Sequence, residues 1–317
     1  MFEHNWKRAA RASLRERLGP NWRKRLPPDI GDWQDCAVRL DRLRIRSTEF
    51  PKAAVLTIPG LRITRDVFLR GRQATFKPYA RVCELHSNSG WRMSVEYDRI
   101  ARWVAFCMIT LVADDQKGLQ PTDVFSILEL LPKTELALVE LAFDFEHDSD
   151  VTRQFVEQHA IFGKSRLRRN DKYPGSIWYG ARRSPKMVRA YWKPSIHSFR
   201  VELEMRSRWL RQYGIATPFD FAQLVLLLPG RQIKFVRVDW NKIGTYLRDR
   251  GLSWRRIVRQ AQNRCRERGL SSAQRYLRRH GVFNVYRFLV PIATNRRVRQ
   301  ALRKWSKEWP TNSGGVL

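Results

Sequence analysis

The stretch that decides the fold runs from Gly175 to Arg206 and reads GSIWYGARRSPKMVRAYWKPSIHSFRVELEMR. Apolar and charged or tyrosyl residues alternate in three runs within it, at Ser176 to Tyr179, Met187 to Trp192 and Phe199 to Met205. Successive side chains of a β-strand point to opposite faces of a sheet, so this alternation predicts three strands with one core-facing side each. The segment Leu136 to Phe145 predicts a fourth strand.

The polar sides of these strands would share one surface if the strands are neighbours in an antiparallel sheet. That surface would carry Glu140, Asp144, Arg189, Tyr191, Lys193, Arg200, Glu202 and Glu204. Clustered carboxylates are hard oxygen ligands for Mg²⁺ or Mn²⁺, and a tyrosine beside cations is a potential nucleophile. An exposed sheet face whose Arg and Glu side chains pair across strands would show the same pattern. The pattern alone leaves both interpretations open.

The composition points to a polyanionic partner. The chain has 317 residues, of which 43% are hydrophobic, so it can form real cores. It carries 61 Lys and Arg against 30 Asp and Glu, for a formal net charge of +31 that is spread along the chain. Self-repulsion of this size favours nucleic acid as the partner, although a generally adhesive basic protein would share it. The 12 tryptophans could stack on unpaired bases or simply pack in the core.

Several classes are disfavoured. The four cysteines lie far apart and form no CxxC pair, which argues against a zinc ribbon or a disulfide framework and indicates a reducing compartment. The most apolar run, Trp103 to Ala113, is much shorter than the ~20 residues that span a bilayer. We therefore expect a cytoplasmic protein with no membrane partner.

The predicted fold class is α+β, with one or more antiparallel central sheets, flanking helices and a basic helical C-terminal region. Three regions are predicted: residues 1–115 as a basic N-terminal α+β region of strands plus a helix, residues 116–250 as the region with the acidic and tyrosine strands, and residues 251–317 as a basic helical DNA-binding tail. In the first region, Gln34 to Arg46 predicts a strand with a bulge, because its period-two pattern slips by one residue after Leu40. Ala53 to Ile58 predicts a strand, and Asp98 to Ala113 predicts a buried helix. A duplicated, diverged half of the central sheet is one reading of residues 1–115.

The C-terminal region predicts two helices that meet at Gly269, an arrangement similar to a helix-turn-helix. Arginines surround their apolar stripes, and we expect these to bind DNA: Arg255, Arg256, Arg259, Arg275, Arg278 and Arg279. The alternative is that these basic helices only cover the rest of the protein.

Three segments resemble the replication initiation factor family, which comprises rolling-circle replication initiators and related relaxases of plasmids, filamentous phages and conjugative elements. They are LALVELAFDF at 136–145, WYGARRSPKMVRAYWK at 178–193 and FRVELEMR at 199–206. The family pattern is a hydrophobic strand ending in Asp, a G-S-R-x-S turn, R-x-Y-x-K and then R-x-E-L-x-x-R. The resemblance covers roughly residues 136 to 250. Two departures stand out: the turn reads GARRS here, and Val139-Glu140-Leu141 replaces the family's Arg-x-Asp.

The resemblance implies an enzyme that nicks one DNA strand at an origin, with residues 116–250 as its catalytic region. Tyr191 would be the nucleophile, with Tyr179 as the second choice, and the product would be a phosphotyrosyl-DNA intermediate with a free 3′-hydroxyl primer. The resemblance also implies Mg²⁺ or Mn²⁺ ligation by Asp144, Glu140 and Glu202, with a general-base role for Asp144 or Glu140 as the alternative. Arg189 and Lys193 would clamp the phosphate in catalysis, and Arg182 and Arg183 would contact DNA.

The implied partners are origin duplex and single-stranded DNA and a host helicase or polymerase, and a homodimer stays open. The alternative function is a non-catalytic protein that binds the origin or single-stranded DNA.

Overall fold

The computed structural model describes residues 36–69, 78–99, 105–114, 116–145, 156–162, 167–168, 176–180, 184–229, 232–292 and 294–310. Its strands are β1 (Cys36–Ser47), β2 (Leu61–Phe68), β3 (Tyr79–Ser87), β4 (Arg92–Arg99), β5 (Cys107–Val112), β6 (Glu135–Phe145), β7 (Ala160–Ile161), β8 (Leu167–Arg168), β9 (Ile177–Tyr179), β10 (Lys186–Lys193), β11 (Ser198–Arg206), β12 (Lys234–Val238) and β13 (Leu289–Pro291). Its helices include α1 (Lys52–Val55), α2 (Pro121–Leu128), α3 (Ser207–Gln212), α4 (Ala222–Leu227), α5 (Trp240–Arg248), α6 (Trp254–Arg268), α7 (Leu270–Arg279) and α8 (Thr294–Lys307).

An antiparallel sheet of ten strands forms the centre of the protein, in the order β2-β3-β4-β5-β1-β6-β11-β10-β9-β8. The four strands predicted from residues 136–206 are β6, β9, β10 and β11, and they are neighbours in it. A smaller sheet has the order β13-β12-β7. With the helices, this confirms the predicted α+β class with an antiparallel central sheet.

The ten strands fall into two sets of five with the same connectivity. In the first set β1 lies next to β5, followed by β4, β3 and β2, and in the second β6 lies next to β11, followed by β10, β9 and β8. The sets meet at the antiparallel pair of β1 and β6. This is the topology expected of a duplicated half. The predicted domain boundary at residues 115/116 stays a prediction. Strands from both sides of it, β1 and β5 before it and β6 after it, lie in the same sheet.

One face of the sheet is apolar and packs against helices. The buried core joins Leu43, Leu141 and Leu203 of the strands to side chains of α2, α3, α4 and α8. A second, smaller core is formed by β12, α5, α6 and α7. This core includes elements that precede residue 251, where the basic helical region was predicted to begin.

Two predictions for the first region are wrong. Cys107–Val112 is strand β5 and not part of a helix, because its buried side chains alternate with half-buried ones and it pairs with β1 and β4 on both sides. An apolar run of this kind can be read as a buried helix, but this one includes β-branched residues, which favour a sheet. Lys52–Val55 is the short helix α1, preceded by Pro51, where a strand was predicted.

The predicted bulge is confirmed. The register between β1 and β6 shifts between Leu40 and Arg42, so Asp41 is the extra residue. Within the described residues, no helix is both long and apolar enough to cross a bilayer.

Candidate active site

On the polar face of the second set of strands, residues that are directly paired across β10, β11 and β6 form three rows. Tyr191 of β10 is paired with Arg200 of β11, which is paired with Asp144 of β6. The next rows are Arg189, Glu202 and Ala142, and then Met187, Glu204 and Glu140. Because directly paired residues of an antiparallel sheet point to the same side, the predicted carboxylates and Tyr191 share one surface.

Arg200 holds the first row together. Its Nε lies 2.6 Å from Oδ1 of Asp144 and its Nη2 lies 3.0 Å from Oδ2, which is a bidentate pair. Its Nη1 donates to Oδ1 of Asp41 at 2.8 Å. Arg39 adds a second cation 3.2 Å from Asp144. Arg200 is 1% exposed and Asp144 is 2% exposed. Each buried charge is therefore compensated by the opposite charge of its partner.

Arg189 bridges two carboxylates of neighbouring strands. Its Nη2 lies 2.5 Å from Oε1 of Glu140 and 2.7 Å from Oε2 of Glu202. Arg42 lies 3.6 Å from the other oxygen of Glu140. Glu140 is fully buried and Glu202 is 2% exposed. Burial and the neighbouring charge of Glu202 together raise the pKa of Glu140 to about 7, against the opposing effect of Arg189.

Tyr191 is linked directly to this group, because its hydroxyl donates a hydrogen bond to Oε1 of Glu202. Burial, together with the negative charge of Glu202, raises the pKa of the Tyr191 phenol. Burial also raises the pKa of Glu202. The phenol is therefore protonated at neutral pH, and the atom that can take its proton is the Glu202 carboxylate oxygen.

Three carboxylates of this face can approach one cation. Ligand oxygens of Asp41, Glu140 and Glu202, here called the acidic triad, all lie within 4.8 Å of one another. Among the described residues, Oε2 of Glu140 and Oε2 of Glu202 are buried and accept no well-aligned hydrogen bond, although Arg42 and Arg189 form ion pairs with them. Buried hard oxygens with unused lone pairs suit Mg²⁺ or Mn²⁺, which would also relieve their mutual repulsion.

The sequence prediction for this site missed Asp41 and included Asp144. Asp41 enters the triad through the β-bulge, and the phase slip after Leu40 was the available signal. Asp144 is not part of the triad, since both its oxygens accept from Arg200. Arg200 itself was recognised as a polar-face residue but was given no role.

The remaining predicted site residues are placed differently. Tyr179 is paired with Val188 on the apolar face, is buried, and packs edge-on against Phe162 with ring centroids 4.6 Å apart. The structure therefore does not bring Tyr179 to the acidic triad. Lys193 is half-buried, two residues after Tyr191 on the same side of β10. Arg182 and Arg183 lie outside the described residues.

The DNA-binding arginines predicted for the C-terminal region lie on α6 and α7, and all six are exposed: Arg255, Arg256, Arg259, Arg275, Arg278 and Arg279. The apolar residues of the two helices face the second core. Gly269, with φ +79°, joins the helices and packs against the backbone of Glu157.

Fold and site together describe an α+β protein whose large antiparallel sheet carries a tyrosine, an acidic triad and arginines on one face. No family model matches the chain, and no curated protein matches it. Among solved structures, one match is the Rolling Circle Replication Initiator Protein from Geobacillus stearothermophilus. The two chains are 13% identical with a TM-score of 0.40, over 64% of this chain and 87% of the other.

Proposed function

We propose that this protein nicks one DNA strand at a replication origin through Tyr191 and so starts rolling-circle replication. The observation that carries the proposal is the hydrogen bond from the Tyr191 hydroxyl to Glu202, a member of the acidic triad. A nucleophile, its proton acceptor and three potential metal ligands thus converge on one sheet face. The resemblance of residues 136–206 to replication initiators, together with the +31 charge, supports DNA as the substrate.

Each residue has a defined part in the reaction. The Tyr191 oxygen attacks the phosphorus of one phosphodiester while its proton passes to Oε1 of Glu202. The bond from phosphorus to the 3′ oxygen breaks, and this oxygen takes a proton from solvent to become a free 3′-hydroxyl. The DNA 5′ end stays on Tyr191 as a phosphotyrosyl ester. Arg189 and Lys193 flank Tyr191 on the same side of β10 and would contact the phosphate.

Asp41, Glu140 and Glu202 would hold the divalent cation. When bound, a cation of this kind acts as a Lewis acid that neutralises charge on a phosphate. Asp144 serves through Arg200, whose guanidinium holds both Asp144 and Asp41 and so fixes the position of one triad member. Asp144 is thus a positioning residue.

A covalent-trapping assay tests the proposal. A labelled pool of random-sequence single-stranded DNA is incubated with the protein and Mn²⁺ and run on a denaturing gel. We expect a protein–DNA band with the wild type and with Tyr179→Phe, and no band with Tyr191→Phe or with EDTA. A band that persists in Tyr191→Phe but is absent in Tyr179→Phe would move the nucleophile to Tyr179.

The same assay addresses the alternative function. If the wild type forms no band with Mn²⁺ or Mg²⁺ but still shifts the labelled DNA on a native gel, the protein is a non-catalytic DNA-binding protein. Thermal melting with Mn²⁺ tests the triad separately. We expect stabilisation of the wild type of about 3 kcal/mol at a hundredfold excess over Kd, and its loss in Asp41→Asn but not in the exposed control Asp249→Asn.

A further inference from the structure

The polar face of the first set of strands carries a line of arginines that the proposed reaction does not use. Arg62 of β2 is paired with His86 of β3, which is paired with Arg92 of β4. The row continues through Val112 of β5 to Arg42 of β1.

Arg42 in turn is paired with Glu140 of the acidic triad. A continuous row of directly paired residues therefore crosses the sheet from its β2 edge to the candidate active site.

The residues of this row share the face that bears the triad. The strands alternate so that Met93, Leu111 and Leu43 are buried in the apolar core. Arg92 lies between the buried Trp91 and Met93 and so points to the opposite side, where Arg42 lies as the direct partner of Glu140. Arg44 lies on this side too, two residues after Arg42 on β1 and beside Thr110, to which its Nε donates at 3.0 Å.

Three of these arginines are exposed: Arg44, Arg62 and Arg92. Within the described part of the chain, none of the three has a carboxylate within ion-pair distance. Arg39, Arg42 and Arg65, in contrast, already have acidic partners. Unneutralised guanidinium groups on one face of a sheet are suited to contact a chain of phosphates.

We infer that Arg44, Arg62 and Arg92 form a track for one single strand of DNA that leads along the sheet to Tyr191. The inference rests on the proposed function and adds the path of the substrate strand to it. Five strand spacings separate β2 from β6, which is a length of roughly 24 Å, enough for several nucleotides. A sheet face of this kind accepts an extended strand, whose phosphates can contact successive arginines.

The test measures binding and is independent of nicking. Labelled oligothymidylate of about 20 nucleotides is titrated with the full-length Tyr191→Phe protein at several salt concentrations, with fluorescence anisotropy as the readout. The test variant adds Arg44→Gln, Arg62→Gln and Arg92→Gln. The control variant adds Arg208→Gln, Arg299→Gln and Arg303→Gln, which remove the same charge from exposed positions on helices at the apolar face.

Loss of three phosphate contacts should lower the slope of log K against log salt by about 2, since each contact on a single strand contributes about 0.7. We expect this decrease in the test variant, a clearly smaller one in the control, and retention of the slope when the same three positions carry Lys. Equal slopes in the test and control variants would overturn the track. Thermal melts of both variants establish that each is folded.

The two proposals fail separately. If wild-type protein forms the covalent band while the test and control variants bind oligothymidylate equally, the track is wrong and the nicking function stands. If the test variant shows the lowered salt slope but the wild type forms no covalent band, the strand path is retained and the nicking function is wrong.

Discussion

The hydroxyl of Tyr191 donates a hydrogen bond to Oε1 of Glu202 across the β10–β11 pair. This contact joins the only tyrosine among the described residues of β10 and β11 to a carboxylate that also belongs to the acidic triad. It defines the proton acceptor for the proposed reaction.

Replacing this carboxylate should separate catalysis from binding. In Glu202→Gln the amide cannot accept the Tyr191 proton as a base, so we expect the rate of covalent-adduct formation to fall about 10²- to 10⁴-fold. Affinity for single-stranded DNA should change little. Glu135→Gln, at a carboxylate that pairs with Arg46 and Arg211 away from the triad, is the matched control. A Glu202→Gln enzyme with the wild-type rate would contradict the assignment.

The buried glutamates should make the metal-free protein less stable as pH rises. The pKa of Glu140 is raised from 4.5 to about 7, so between these values the native state binds a proton that the unfolded state has lost. The free energy of unfolding therefore falls with increasing pH across this window and levels off above it. The raised pKa of Glu202 acts in the same direction.

Urea titrations in EDTA at about pH 5 and about pH 7.5 measure this effect. In Glu140→Gln, which has no titrating group at that position, we expect a smaller decrease than in the wild type. If the two proteins lose the same free energy between the two pH values, burial of Glu140 does not govern the pH dependence.

Arg200 should contribute more to the stability of the fold than to DNA binding. Arg200→Met leaves the buried Asp144 carboxylate without its bidentate partner, and we expect a loss of about 3–5 kcal/mol in the free energy of unfolding. Adding Asp144→Leu removes the buried charge, which Arg39 alone would then have to balance, and should restore a large part of that loss. The exposed Arg208→Gln should change stability by less than about 0.5 kcal/mol. A fully stable Arg200→Met protein would show that the pair is dispensable.

The arginines of α7 should bind duplex DNA. Replacing Arg275, Arg278 and Arg279 by Gln should lower the salt slope of duplex binding by about 2.7, because each contact on B-form DNA contributes about 0.9. Covalent-adduct formation on single-stranded DNA should continue. If the salt slope of duplex binding matches that of the Arg208, Arg299 and Arg303 triple variant, the arginines of α7 do not contact duplex DNA.

The junction of α6 and α7 requires glycine. A Cβ at Gly269, with φ +79° and ψ 172°, would lie 2.6 Å from the Glu157 carbonyl oxygen. We expect Gly269→Ala to cost about 1–3 kcal/mol in thermal or urea unfolding. Gly281→Ala is the control, because a Cβ there meets none of the described atoms within 4 Å and the cost should come from its positive φ alone. Equal losses in both variants would contradict a steric role for Glu157.

The strands around the site could be predicted because their pattern is local. Alternation in β6, β10 and β11 depends only on which side of each strand must be buried, and the structure places Glu140, Tyr191 and Glu202 on the expected side. Cys107–Val112 could not be assigned in this way, because a short apolar run fits a buried helix or a central strand equally well. Pairing with β1 and β4 makes it a strand.

By itself, the amino-acid sequence determined the polar and apolar sides of the strands, the bulge in β1 and the positive charge of α6 and α7. Each of these follows from the order of neighbouring residues. Only the tertiary structure decided that Asp41 joins Glu140 and Glu202, that Asp144 pairs with Arg200, and that Tyr179 faces the apolar core. The reason is that strand order and register bring together residues far apart in the chain, and no local pattern contains that information.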